Sequence, residues 1–106
     1  MAIVYNKLVR DKIPEIINSK GDECITEILP DDRYLEMLDK KLDEELKEYH
    51  EDRNIEELAD LVEVIYAVTK ARGYTLEELE NTRRAKAEKR GAFDKKIFLK
   101  EVSEGK

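Results

Sequence analysis

The sequence predicts an all-α fold of about four helices built around a central antiparallel pair, and three observations carry that prediction. Apolar residues recur at helical spacing through the middle of the chain, capping residues stand where helices would begin, and glycines stand where they would end. The charged fraction is 43%, yet Leu, Ile and Val recur throughout, which is the composition of a helical globular protein and not of a disordered one. At 106 residues the chain reads as a single domain, residues 1–106, with a small core, so a homodimer or higher homo-oligomer is expected.

Taken in order, residues 1–9 read as extended or irregular, followed by a short helix from about Arg10 to Ser19. Pro14 suits that helix only in its first turn, where a missing N–H costs nothing, and Gly21 supplies the stop. Cys24 to Leu29 is a candidate short strand, and Ile97-Phe98-Leu99 a candidate terminal strand to pair with it. Pro30 with Asp31 or Asp32 marks the start of a helix that runs to about Glu51. Asp52-Arg53-Asn54 makes a tight connection, with Asn54 as the cap of a third helix that Gly73 ends. Thr75-Leu76-Glu77-Glu78 is a capping box, in which Thr75 accepts the N3 amide and Glu78 reaches back. The fourth helix then runs to about Arg90 and stops at Gly91.

Periodicity assigns the buried faces. In the second helix Leu35, Leu38, Leu42, Leu46 and Tyr49 form the stripe of an amphipathic helix. At about 100° per residue, Glu45 and Glu48 lie roughly 60° and 120° from Leu42 on one flank, while Glu44 falls on the opposite side. The third helix carries Ile55, Leu58, Val62 and Ile65 on one side, extended by Leu61, Val64 and Val68, with Glu57 and Asp60 on the Val64 side.

Those acids are centred on the same turn, which places Glu48 opposite Glu57 and Glu45 opposite Asp60 if the two helices pack antiparallel. Four carboxylates facing one another would repel and shift their own pKa values unless a cation sat between them. Mg²⁺, a hard oxygen-seeking ion, is the natural candidate, with Mn²⁺ as its substitute. The competing reading is a solvated face, since i,i+3 pairs of Glu arise by chance among 26 acidic residues. Glu57 also stands at N3 from Asn54, where its carboxylate would cap the helix instead.

Glu44-Glu45-Leu46-Lys47-Glu48 followed by Glu57-Leu58-Ala59-Asp60 resembles the E-E-x-x-E and E-x-x-D motifs of the all-α nucleoside triphosphate pyrophosphatases. This is the MazG-like superfamily, which includes phosphoribosyl-ATP pyrophosphohydrolase. The opening segment Tyr5 to Glu15 and the closing segment Arg90 to Leu99 resemble one branch of it, proposed house-cleaning enzymes for noncanonical nucleotides. The chain departs from the family's usual pattern in one respect: only eight residues separate Glu48 from Glu57. The resemblance implies a nucleoside triphosphate substrate, cleaved between the α- and β-phosphates to a monophosphate and pyrophosphate. It implies Glu45, Glu48, Glu57 and Asp60 as Mg²⁺ ligands, with one of the carboxylates, Glu44 in a supporting position included, orienting or deprotonating the attacking water. It also favours Lys86, Lys89 and Arg90, which share a face near the end of the fourth helix, as phosphate contacts. The helix dipole accounts for the same three cations equally well. Lys7, Arg10 and Lys12 form a second basic group beside Asp11 that would bind phosphate or pair with the acids.

Other chemistries fail on their residues. A di-iron bundle needs Glu-x-x-His, but Lys47 stands three residues before His50. Cys24 has no second cysteine, and there is no Gly-rich phosphate loop. Tyr34, Tyr49, Tyr66, Tyr74 and Phe93 would stack on a base or fill the core. A net charge of −6 argues against nucleic acid and anionic membranes as partners. No apolar run approaches the roughly 18 residues that span a bilayer, and the opening residues lack the apolar run of a signal peptide, so the expected location is the cytoplasm. Two rival functions stand: a non-catalytic helical oligomerisation or adaptor module, whose acids serve only to solvate the bundle, and a nucleic-acid-binding accessory protein using the Lys7–Lys12 and Arg83–Arg90 clusters, which the net charge opposes.

Overall fold

The computed structural model describes residues 2–105 and contains four helices: α1 (Ile13–Ser19), α2 (Asp31–Asp52), α3 (Ile55–Ala71) and α4 (Leu76–Arg90). The chain divides into two compact units, Met1–Tyr74 and Thr75–Lys106.

In the first unit the N-terminal element begins later than its apolar pattern suggests. Pro14 sits in the first turn of α1, and the preceding residues from Arg10 to Lys12 form a turn in which Ile13 N–H donates to the Arg10 carbonyl at 3.0 Å. Gly21, at φ +87°, turns the chain out of the helix. Pro30 precedes α2 in extended conformation, and Asp31 and Asp32 place negative charge in its first turn, where the helix dipole favours it. At the far end Arg53 adopts the left-handed conformation (φ 51°), and its N–H donates to the Tyr49 carbonyl at 2.7 Å. Asn54 then caps α3, its side chain accepting from Glu57 N–H at 3.0 Å. A two-residue connection leaves packed helices no course but antiparallel, and α2 and α3 are the packed pair of this unit. Arg72 Nη2 donates to Asp39 Oδ2 at 3.3 Å, tying the other end of the hairpin.

The hairpin buries a different stripe of α3 from the one led by Ile55. Leu38 and Val64 are its buried apolar residues, with Leu42, Leu61 and Val68 half-buried. Leu58, Val62, Ile65 and Tyr66 stay about 40% exposed, and Ile55 is 75% exposed. The extension through Leu61, Val64 and Val68 is the face that packs, and it brings Glu57 and Asp60 with it.

The candidate strands do not form: among the described residues there is no strand, and both 24–29 and 97–99 are irregular. Ile25 and Ile28 are fully exposed, as are Ile97, Phe98 and Leu99 to more than 70%. A strand exists only through the ladder that a partner supplies, and neither segment has one.

The second unit holds α4, which starts with the complete capping box. Glu78 N–H donates to Thr75 Oγ1 at 3.0 Å, and Thr75 N–H donates to Glu78 Oε1 at 3.2 Å. Gly91, at φ +86°, ends the helix, and its N–H donates to the Ala87 carbonyl at 2.8 Å. No helix among the described residues is long and apolar enough to cross a membrane.

Candidate metal centre

Three carboxylates converge where α2 and α3 face each other: Glu45, Glu57 and Asp60 each place one oxygen within 4.8 Å of the others. The local reasons are simple. Glu45 rides the packed flank of α2 one turn after Lys41, while Glu57 and Asp60 stand one turn apart on the packed face of α3, just after its cap.

Glu45 is only 6% exposed, the most buried charged group described. Its Oε1 pairs with Lys41 Nζ at 3.2 Å, and its Oε2 is buried without a hydrogen-bond partner. Glu57 likewise has a buried, unpartnered Oε2. Thr69, the other buried polar residue, has its hydroxyl satisfied by the Ile65 carbonyl at 2.7 Å. The orphan oxygens are thus confined to the acid cluster. A buried unpartnered carboxylate oxygen is costly, and two of them beside one another are costlier still.

Electrostatics follow this geometry. Burial pushes the Glu57 carboxyl above its ordinary range, and repulsion from Asp60, Asp52, Glu45 and Glu56 adds to the shift. Glu48 is also pushed up, first because its protonated form can share a hydrogen bond with Glu45 and then by the repulsion between the two carboxylates, with Lys41 opposing. Both directions mean that these groups resist becoming anions in their folded surroundings.

Glu48 lies outside the triad. It is exposed, on the solvent side of Glu45, close enough to interact with it and to feel Glu57. Glu44 is half-buried and is not part of the triad. The cap at α3 is one-sided: Asn54 accepts from the Glu57 backbone, but the Glu57 carboxylate contributes to the cluster instead. Arg10 reaches the same site from the N-terminal segment, its Nη2 donating to Asp60 Oδ1 at 2.6 Å and its Nη1 lying 3.9 Å from Glu63 Oε1. Lys7 stands over the Tyr5 ring, 5.8 Å from its centroid. In the second unit Lys86, Lys89 and Arg90 line a shallow open concavity of about 450 Å³ with Asn81, Thr82 and Ala85. Tyr34 and Tyr49 are half-buried, whereas Tyr74 and Phe93 are exposed.

One residue at the site, Lys41, escaped the motif reading, and Arg10, read as a phosphate contact or a partner for the acids, gave no sign of which acid it meets. Lys41 had a legible signal, since it precedes Glu45 by four residues and so shares its face. The Arg10–Asp60 pair had none, because the partners are 50 residues apart.

The donor set fits a divalent cation. Carboxylate oxygens alone are what Mg²⁺ or Mn²⁺ takes, two of the three residues also carry a buried unpartnered oxygen, and soft nitrogen or sulfur ligands are missing from the group. No family model and no solved structure matches the chain. An uncharacterized protein of Mycolicibacterium smegmatis is 50% identical over 42 residues, which span 40% of this chain and 43% of that protein. The chain therefore spans less than half the length of that relative.

Proposed function

We propose that this chain is a MazG-like, Mg²⁺-dependent nucleoside triphosphate pyrophosphohydrolase acting in the cytoplasm, with noncanonical nucleotides among its substrates. The observation that carries this reading is the pair of buried, unpartnered oxygens, Glu45 Oε2 and Glu57 Oε2, in a group that Asp60 completes. The order of Glu45-x-x-Glu48 and Glu57-x-x-Asp60 on consecutive helices supports the choice of reaction.

Glu45, Glu57 and Asp60 would hold the ion. When bound, Mg²⁺ supplies charge neutralisation for the polyphosphate and a lowered pKa for the attacking water. Glu48, adjacent to Glu45 yet open to solvent, is the carboxylate left to accept that water's proton, with Glu44 as the supporting group. Arg10, which pairs with Asp60 here, would be free to meet a phosphate oxygen once the ion takes that carboxylate. Lys7, in the same unit as the cluster, is assigned to the remaining phosphate charge.

Purified protein incubated with Mg²⁺ and a panel of standard and modified nucleoside triphosphates is expected to release pyrophosphate and the monophosphate, and Asp60→Ala to release neither. Orthophosphate with a diphosphate, or full turnover by Asp60→Ala, would count against the assignment.

The proposal includes a homo-oligomer. The exposed stripe of Leu58, Val62, Ile65 and Tyr66 offers an apolar face that a second copy can match with its own, as a two-fold interface requires. Val62→Asp is expected to lower the molar mass measured by sedimentation while keeping the helical circular-dichroism signal. The same stripe is what favours the adaptor reading. An adaptor, however, gains no thermal stability from Mg²⁺, which separates the two.

A further inference from the structure

Arg10 stands where an incoming cation has to bind. Its guanidinium is 2.6 Å from Asp60 Oδ1, so one of the three cluster carboxylates is already engaged by a resident positive charge. Lys41 is the second resident cation, but the two are not equivalent. The Lys41 side chain is 19% exposed and its partner Glu45 sits one turn away on the same helix, so this pair is built into α2. The Arg10 and Asp60 side chains are 57% and 39% exposed and belong to segments far apart in sequence. An exposed pair of that kind is weak and is the one that yields.

We infer that a divalent cation binding at Glu45, Glu57 and Asp60 displaces Arg10 from Asp60 and thereby releases the N-terminal segment, residues 2–12, from the α2–α3 hairpin. The inference rests on the divalent-cation reading of the cluster. Among the described residues, the two Arg10 ion pairs, to Asp60 and Glu63, are the hydrogen bonds and salt bridges that join this segment to the hairpin. Helix α1 does not pack on either hairpin helix. Ile3, Val4, Tyr5 and Val9 are exposed and Leu8 is only half-buried, so little apolar burial holds the segment in place once the guanidinium leaves. Mg²⁺ or Mn²⁺ at a carboxylate brings two positive charges to a few Å from the guanidinium, and the repulsion falls on the weaker partner. Metal loading and release of the N-terminal segment are then coupled, each favouring the other to the same extent.

The test uses Mn²⁺ as the probe and the full chain. Mn²⁺ affinity is measured by calorimetry for the wild type and for Arg10→Gln, which keeps a polar side chain but removes the competing charge. Arg10→Gln is expected to bind Mn²⁺ about two- to fivefold more tightly, the factor that an exposed ion pair supplies. In the wild type, trypsin is expected to cut after Arg10 faster with saturating Mn²⁺ than without it, and in Asp60→Asn to cut fast without any metal. Unchanged or weaker Mn²⁺ binding by Arg10→Gln, or protection of Arg10 by Mn²⁺, overturns the release while leaving the metal site standing. No Mn²⁺ binding by either protein overturns the metal site and the release together.

Discussion

Glu57→Gln is expected to raise the melting temperature of the metal-free protein, to remove its stabilisation by Mg²⁺, and to cut pyrophosphate release by more than about a hundredfold, since a lost ligand removes transition-state stabilisation that nothing else replaces. The three effects have one origin. Glu57 carries a buried oxygen with no partner and sits among Asp60, Asp52, Glu45 and Glu56. Its carboxyl is pushed above the ordinary range, so the folded state favours the protonated form. That preference stabilises the fold fully only below the unfolded-state pKa, and it is lost as pH rises through the folded-state value. Near neutral pH the charged form is therefore a burden on the hairpin. Gln removes the charge at nearly constant volume, and its amide nitrogen can donate toward the orphan Glu45 Oε2. The backbone cap survives, because Asn54 accepts from the Glu57 main-chain N–H and not from its side chain. Thermal unfolding followed by far-ultraviolet circular dichroism, with and without Mg²⁺, reads the first two effects. A variant that is more stable, metal-indifferent and inactive is the mark of a site that holds repulsion for the sake of a ligand. A Gln variant that melts lower and still responds to Mg²⁺ would move the ion away from Glu57.

The same residues show what a sequence makes legible. Helix ends were readable because capping is local: Thr75 with Glu78, Asn54 with the amide three residues on, and Gly21, Gly73 and Gly91 at positive φ all act within a few residues. The start of α1 was less so, because Arg10 to Lys12 have helical character in composition while Pro14 confines the helix to a start at Ile13. The absent strands at 24–29 and 97–99 mark a limit of a different kind, since alternating apolar residues encode a preference and the ladder needs a partner. Face assignment depended on partners too. Ile55, Leu58, Val62 and Ile65 form as good a stripe as Leu61, Val64 and Val68, and the two differ only in which one meets α2. Mirror spacing about the turn brought Glu45, Glu57 and Asp60 to attention, but side-chain direction decides that Glu48 stays on the solvent side. Arg10 reaches Asp60 through tertiary placement alone, which no local pattern encodes.

Leu38→Ala is expected to lower the melting temperature by more than about 10 °C, because a buried Leu→Ala truncation costs roughly 2–5 kcal/mol and each kcal/mol moves a domain of this size by about 4–8 °C. Leu38 is 4% exposed and shares the apolar centre of the hairpin with Val64, at 9%. Total stabilities of about 0.05–0.15 kcal/mol per residue leave little margin against such a loss. The loss also reaches the acids. Leu38 lies two turns before Glu45 on the packed flank of α2, so loosening that contact lets α2 move away from Glu57 and Asp60, which mutual repulsion already drives apart. Mg²⁺ is therefore expected to recover part of the lost stability, since an ion that binds only the closed hairpin pulls the equilibrium toward it. Val62→Ala, on the exposed stripe, separates packing within one chain from packing between chains. Its effect is expected to be small in dilute protein and to grow with concentration, whereas that of Leu38→Ala is expected to be independent of concentration. Differential scanning calorimetry over a range of protein concentrations checks both. A concentration-dependent Leu38→Ala deficit would mean that the centre of the hairpin is itself part of an interface.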